Sequence, residues 1–182
     1  MSHVRLAAAL AVTAAVLGGC IACSAGSPEQ RPFPPRTFSI DVSAVAPCSA
    51  LTDDQRRERN LVIGRPIAPQ YGTSRGCAWI DRDGRGVNLQ TFDQDATAAV
   101  DAEPSAEIVA IAGIGGVQST PEKGTNGRFC QIVLDVTDGA SLRSQIDVSD
   151  LSARPTTPEG ACAELREVTA QMLGTLRARQ AS

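Results

Sequence analysis

The sequence of 182 residues contains a single histidine, at position 3. The segment around it has the form of a secretory signal, so we expect the mature protein to contain no histidine. Without an imidazole, neither a Ser-His-Asp nor a Cys-His centre can form, and histidine metal ligands are excluded. We therefore expect no cofactor and no metal. An enzyme is left only carboxylate or lysine-assisted mechanisms.

Aromatic and basic residues are also limited. One Trp, one Tyr and four Phe give little surface for stacking on bases or sugars, and the formal net charge is −3. A nucleic-acid-binding face is instead basic and concentrated. We therefore expect no nucleic-acid partner.

The amino-terminal segment predicts lipidation of a cysteine. Arg5 precedes a run of Ala, Leu and Val, and the run ends in Leu17-Gly18-Gly19-Cys20. A positively charged residue, then an apolar run, then small residues before the cleavage site are typical of a secretory signal. The residues Leu-Gly-Gly-Cys resemble the bacterial lipobox. Residues 1–19 are predicted to be the signal peptide, and Cys20 the acylated first residue of the mature chain.

Three alternatives stay open for this segment. An uncleaved helix over residues 6–22 would have only about 17 residues, at the lower limit for spanning a bilayer. Cleavage without lipidation would give a secreted protein. Cys23 is a second possible acceptor, but it lacks an aliphatic residue at position −3. Two or more acyl chains, such as palmitate, form a stable anchor, and we expect the protein on the extracytoplasmic face of the cell membrane.

Residues 20–45 are predicted to be a lipidated, disordered tether. They contain several prolines and no periodic apolar pattern, and a flexible chain of this length has an r.m.s. reach of about 25 Å.

Residues 46–180 are predicted to be one folded domain with four cysteines: Cys48, Cys77, Cys130 and Cys162. An even number in an exported domain favours disulfides, with three possible connectivities, over a zinc site that lacks any Cys-x-x-Cys pair.

The domain is predicted to open with a short helix. Thr52 and Gln55 have the spacing of a capping box, and the helix is expected to end near Arg59. Arg56, Arg57 and Arg59 lie near its end. They form either a solvated helix end or a contact patch for anionic headgroups or a partner.

The middle of the chain predicts antiparallel strands. Residues 77–80 and 87–91 flank Asp83-Gly84, a dipeptide typical of a hairpin turn. Residues 107–111 predict a strand, residues 113–116 a tight turn, residues 95–103 a short helix, and residues 63–76 an irregular segment. The clearest strand pair has alternating apolar residues on each side of Asp138-Gly139: Cys130, Ile132, Leu134 and Val136, then Leu142, Ile146 and Val148.

Residues from Thr157 onward predict a final helix that covers this sheet. Thr157-Pro158-Glu159 supplies a cap, a proline in the first turn and an acid. An apolar stripe then recurs at spacings of three and four: Cys162, Leu165, Thr169, Met172 and Leu176. Because Cys130 and Cys162 would face each other between sheet and helix, we predict the pairs Cys130–Cys162 and Cys48–Cys77. Each bridge is expected to contribute about 3–4 kcal/mol.

Several of these motifs together resemble a known family. Pro47-Cys48-x-x-Leu51-Thr52, Cys77-Ala78-Trp79, Cys130 and Cys162, behind a lipobox, are similar to the LprB-like lipoproteins of mycobacteria and other actinobacteria, domain of unknown function family 3558. The resemblance implies an α+β domain with an antiparallel sheet of the Mog1/PsbP-like kind. It implies no activity and no catalytic residue.

The leading interpretation is a non-enzymatic lipoprotein whose domain presents a surface to an envelope partner. The alternative is a carrier of an apolar ligand such as a lipid or glycolipid, which needs a cavity of roughly 300 Å³ or more. A carboxylate-dependent hydrolase would have to use Asp81 with Asp83, or Asp93 with Asp95.

Overall fold

The computed structural model describes residues 31–69, 72, 74–82, 84–121, 128–148 and 157–181. Within these residues, seven antiparallel strands form one sheet in the order β1-β2-β3-β7-β6-β5-β4. The strands are β1 (Arg65–Ile67), β2 (Gly76–Ile80), β3 (Gly86–Phe92), β4 (Glu107–Ile111), β5 (Ile114–Ser119), β6 (Arg128–Thr137) and β7 (Ala140–Val148). The α-helices are α1 (Asp53–Glu58) and α2 (Pro158–Gln180).

The β6–β7 hairpin lies at the centre of the sheet and confirms the predicted strand pair. Cys130 lies opposite Ile146, and Leu134 lies opposite Leu142. The four alternating apolar residues of β6 are all fully buried. Gly139 has φ +74° in the connecting turn, a conformation that glycine adopts without a Cβ penalty.

Helix α2 packs against this hairpin. The Thr157 side chain accepts a hydrogen bond from the Gly160 N–H at 3.1 Å, and Pro158 occupies the first turn, as predicted. All five residues of the predicted stripe are buried, together with Ala161, Val168 and Leu173. The buried face is therefore broader than the predicted stripe.

Both predicted disulfides are present. Cys48–Cys77 and Cys130–Cys162 have Cα–Cα distances of 5.0 and 5.3 Å. The first joins β2 to the segment that precedes α1, and the second joins α2 to β6. The predicted fold class, an antiparallel sheet packed against a carboxy-terminal helix with two disulfides, is confirmed.

The folded domain begins earlier than predicted. Its compact unit starts at Arg31, and Ile40, Val42 and Val45 are 0–4% exposed in the main core. The Ile40 N–H donates to the Val136 carbonyl oxygen at 3.1 Å. The tether boundary at residue 45 was therefore wrong. The prolines of this segment end at Pro35, and the short alternation of Phe38, Ile40 and Val42 that follows them packs into the main core. Residues 20–30 of the predicted tether lie outside the described residues.

Two local expectations also need correction. The segment expected to be irregular contains β1, and the turn expected over residues 113–116 is confined to Ala112 and Gly113, because Ile114–Ser119 forms the buried strand β5. A Cβ on Gly115 would lie 2.7 Å from the Phe33 Cβ. The glycines of this strand therefore permit close packing against the amino-terminal segment. In the sequence alone, the same glycines resemble a turn.

The remaining helix and hairpin predictions hold in outline. Asp95 caps a short 3-10 helix, Ala96–Ala99, within the residues predicted to be helical. Strands β2 and β3 pair as a hairpin, with Gly84 at φ +82° in its turn; Asp83 lies outside the described residues. A second, smaller core of Phe33, Ala96 and Val117 lies on the face of the sheet away from α2.

Candidate functional site

Five charged residues hold the amino-terminal segment to the β6–β7 end of the sheet. Asp135 is 2% exposed and accepts hydrogen bonds from Arg36 at 2.9 and 3.1 Å and from Arg31 at 3.2 Å. Asp138 lies 2.8 Å from the Arg31 guanidinium and 2.5 Å from that of Arg36. Asp95 lies 4.0 Å from the Arg31 guanidinium. We call these five residues the Asp135 cluster.

The pKa values of three groups in the Asp135 cluster, Arg36, Asp95 and Asp138, are shifted in favour of their charged forms. A side-chain hydrogen bond from Arg36 lowers the pKa of Asp138 below its ordinary value, and the Thr97 backbone N–H does the same for Asp95. The hydrogen bond to Asp135 raises the pKa of Arg36. A general acid or base needs a pKa near the working pH, so this arrangement suits attachment rather than proton transfer.

The carboxylates singled out in the sequence do not share a described cleft. Asp81 accepts from the Arg85 N–H at 2.8 Å, and Asp95 accepts from the Thr97 N–H at 3.0 Å. Asp93 is exposed, and Asp83 lies outside the described residues. Among the residues that the structure describes, no group of three or more His, Cys, Asp or Glu residues could hold a metal ion.

The arginines of α1 are paired with neighbours. The capping box is confirmed, since Thr52 and Gln55 exchange hydrogen bonds of 2.8 and 3.2 Å. Arg56 and Arg57 contact the acids three residues earlier, and Arg59 donates to Gln171 at 2.7 Å. Arg57 is solvated, at 72% exposed, whereas the Arg56 and Arg59 side chains are 17% exposed and are held by their neighbours.

Among the described residues, clefts of about 460 to 540 Å³ lie around the rim of the domain. A cleft of about 540 Å³ lies between the start of α2 and the β4–β5 side, and one of about 490 Å³ lies beside the end of α2. The third, about 460 Å³, adjoins the Cys48–Cys77 bridge and is called the disulfide cleft. Its lining residues are Cys48, Ser49, Leu51, Thr52, Asp53, Arg56, Ile63, Gly64 and Arg179.

Trp79 is fully buried, and its indole Nε1 has no hydrogen-bond partner among the residues that the structure describes. A Cβ on Gly64 would lie 2.4 Å from that nitrogen, so the absence of a side chain at position 64 makes room for the ring. The sequence predicted only a strand residue at Trp79. The contact depends on β1, which the sequence did not reveal.

Comparison with known proteins places the chain in a family. A family model described as a protein of unknown function (DUF3558) matches residues 15–175. The chain belongs to the DUF3558 family. No curated protein and no solved structure matches it.

The DUF3558 domain exposes a small apolar patch at one corner. Val62, Ile63 and Ile80 are 46, 74 and 45% exposed, and the Val62 N–H donates to the Ile80 carbonyl oxygen at 3.0 Å. We call these residues the apolar corner. It lies at the β2–β3 turn, at the opposite end of the sheet from the Asp135 cluster, because β3 runs antiparallel to β7.

The predicted lipidation residue, Cys20, and the rival acceptor Cys23 lie outside the described residues. Among the helices that are described, none is long and apolar enough to cross a membrane.

Proposed function

We propose that this DUF3558 protein is a lipid-anchored lipoprotein on the extracytoplasmic face of the cell membrane, and that its domain binds a partner rather than catalysing a reaction. Acyl chains on Cys20 form the anchor. The lipobox and the four bridged cysteines support export. We also propose that the sheet and helix form a Mog1/PsbP-like fold.

The observation that carries the proposal is the attachment of residues 31–45 to the domain. Only residues 21–30 separate Cys20 from Arg31. A segment of ten residues spans at most about 35 Å even when it is fully extended. The Asp135 cluster fixes where the chain enters, so the β6–β7 end of the sheet stays close to the membrane.

This arrangement turns the apolar corner away from the lipid. Val62, Ile63 and Ile80 then face the envelope space, where a partner protein can cover them. Three exposed aliphatic side chains, two of them on residues joined by the Val62–Ile80 backbone hydrogen bond, provide an apolar surface of the kind that binding partners bury. We propose that the corner binds an envelope protein.

Photo-crosslinking in intact cells tests this function. A photoreactive residue at Ile63 is expected to capture a distinct protein. The same residue at Gly174, on the solvent side of α2 where nothing lies within 4 Å of an added Cβ, is the matched control. Identical products at both positions would contradict the proposal.

The anchor is tested separately with Cys20→Ala. This variant is expected to lose labelling by an alkyne palmitate analogue and to leave the membrane fraction. Retention of both would exclude Cys20 as the acylated residue. Lipid that copurifies stoichiometrically with the Cys20→Ala protein would instead favour the carrier function.

A further inference from the structure

The two edges of the sheet differ in how well they are protected against pairing with another chain. The edge strands are β1 and β4. Strand β1 has three residues and contains Pro66, and a short strand with a proline is a common way to block such pairing. Strand β4 has five residues, contains neither proline nor a basic residue, and pairs with β5 in a continuous register. Within the described sheet, β4 is therefore the edge that lacks these protections.

The register of the β4–β5 hairpin places backbone hydrogen-bonding groups along that edge. The two residues of its turn, 112–113, have φ values of 49° and 85°, which fits a type I′ turn. The flanking pair Ile111 and Ile114 then exchanges hydrogen bonds, and bonded and non-bonded pairs alternate from there along the ladder. Ile108 and Ala110 therefore direct their N–H and C=O groups away from β5, toward the open edge.

These edge groups are accessible. Ile108 and Ala110 are both exposed, Ile108 by 47%. Across the described residues, no hydrogen bond from outside the sheet reaches the backbone of either one. Unpaired backbone groups on an exposed edge strand are a template for another extended chain. The edge therefore offers two N–H and two C=O groups for the addition of a strand.

The cleft of about 540 Å³ beside the start of β4 favours a positively charged side chain. Its charged lining residues are Glu107, Glu159 and Arg166, one positive and two negative, which leaves a net charge of −1. Arg166 donates to the Gln118 Oε1 at 2.7 Å. Neither carboxylate forms an ion pair with a residue that the structure describes. Both are therefore free to pair with a cation from outside the chain.

The faces of β4 determine which side chains of an added strand meet which surface. Glu107 shares a face with Ile111, which belongs to the main core together with α2. Ile108 lies opposite Val117, which belongs to the second core on the face away from α2. In an added strand, the residue opposite Glu107 would direct its side chain to the cleft. The residue opposite Ile108 would direct its side chain to the exposed aliphatic surface.

We propose that the open edge of β4 binds an extended segment of a partner protein by strand addition. The backbone of the segment pairs with Ile108 and Ala110, and a Lys or Arg side chain enters the cleft beside Glu107. A second copy of this chain fits less well, because residues 107–111 contain no basic residue to place in the cleft. The edge lies across the sheet from the apolar corner, so this site does not depend on a partner at Ile63.

Hydrogen exchange at two amides tests strand addition. Random peptides displayed on phage are selected on the immobilised mature chain carrying Cys20→Ser, and the enriched peptides are synthesised. We expect these peptides to alternate aliphatic residues and to contain a Lys or Arg. At saturation, they are expected to slow exchange of the Ile108 and Ala110 amides by about tenfold or more in ¹H–¹⁵N spectra. The Val109 amide, which already faces Gly116 in the ladder, is expected to change little.

Two pairs of variants separate backbone pairing from charge. Ala110→Pro removes an edge N–H at a position where a sheet accepts proline, and it is expected to abolish binding. Ala110→Thr keeps that N–H and is expected to bind normally. Glu107→Gln is expected to raise the Kd of a basic peptide about fivefold, but not the Kd of the same peptide with Gln in place of its basic residue. Glu58→Gln, at an exposed position of α1, is the matched charge control.

The proposal is overturned if no enriched peptide slows exchange at both edge amides. It is also overturned if Ala110→Pro folds and binds like the wild type, or if Glu107→Gln and Glu58→Gln bind the basic peptide equally. Slow exchange at both amides without peptide, in a sample that sediments as a dimer, would assign the edge to a second copy of the chain instead.

Discussion

Asp135 is the one charged residue among the buried side chains that the structure describes, and it accepts hydrogen bonds from two arginines of a distant segment. Removing one partner of a buried ion pair costs about 3–5 kcal/mol. The loss is smaller here, since Arg31 remains and the Arg36 side chain is 18% exposed. We expect Arg36→Ala to lower the free energy of unfolding by about 2 kcal/mol.

Urea unfolding at pH 7 measures that effect. Arg57→Ala is the matched control, because Arg57 and its partner Asp54 are 72 and 78% exposed, and an exposed pair contributes about 1 kcal/mol or less. Equal losses in the two variants would show that the Asp135 cluster does not hold the segment.

The same cluster predicts a loss of stability in acid. Asp95 and Asp138 have pKa values below the ordinary 3.8 in the folded state. Their stabilising contribution is therefore complete above the unfolded pKa and is lost as the pH falls through the folded pKa. We expect the free energy of unfolding to fall below about pH 4, and Asp95→Asn to flatten that fall.

Unfolding by urea at pH 5, 4, 3 and 2 provides the comparison. Asp54→Asn, at an exposed position of α1, serves as the control and is expected to follow the wild-type curve. Parallel curves for Asp95→Asn and the wild type would refute the assignment.

At the scale of single residues, the sequence predicted the role of a residue better than it predicted which distant residues that residue contacts. The four cysteines could be assigned to disulfides from their even number and the faces on which they lie, and Thr157 could be assigned as a cap from local spacing. The structure confirms these roles. The partners of Asp135 lie about a hundred positions away in the chain. No periodicity connects such residues, so the cluster could not have been found from local patterns.

Among the elements, the two disulfides attach different parts of the domain to the sheet but close loops of similar length. Their sequence separations are 29 and 32 residues, and the chain-entropy model gives each about 3–4 kcal/mol. We expect Cys48→Ser/Cys77→Ser and Cys130→Ser/Cys162→Ser to lose nearly equal unfolding free energy.

Chemical denaturation of both double variants measures these losses, and peptide mapping of the wild type checks the pairing. A mapped bridge between Cys48 and Cys130 would contradict the connectivity. A much larger loss for one variant would show that packing, rather than loop closure, dominates its contribution.

The elements that could be predicted are those with a strong period. Strands β6 and β7 alternate, and α2 repeats its apolar residues every three or four positions. Strand β1 contains Pro66 and β5 contains Gly115 and Gly116, so both resemble loops in sequence. Tertiary packing overrides that local signal, because an edge position accepts proline and close neighbours require glycine.

For the whole molecule, attachment of residues 31–45 changes the geometry expected from sequence. With the proposed anchor at Cys20, a tether of 26 residues would let the domain rotate freely above the membrane, whereas we expect ten residues entering at the Asp135 cluster to hold one end of the sheet near it. Gln94, just after β3, lies at that end, and Arg82, just after β2, lies at the other. Both positions are exposed.

This geometry predicts an orientation that energy transfer can measure. With a fluorophore introduced at either position of the lipidated protein in vesicles, transfer to a dye in the bilayer is expected to be stronger from position 94 than from position 82. Inserting a flexible spacer of about 20 residues between residues 30 and 31 is expected to reduce the difference, because the r.m.s. reach grows with the square root of length. Equal transfer without the spacer would show that the entry point does not orient the domain, and the apolar corner would then have no preferred direction.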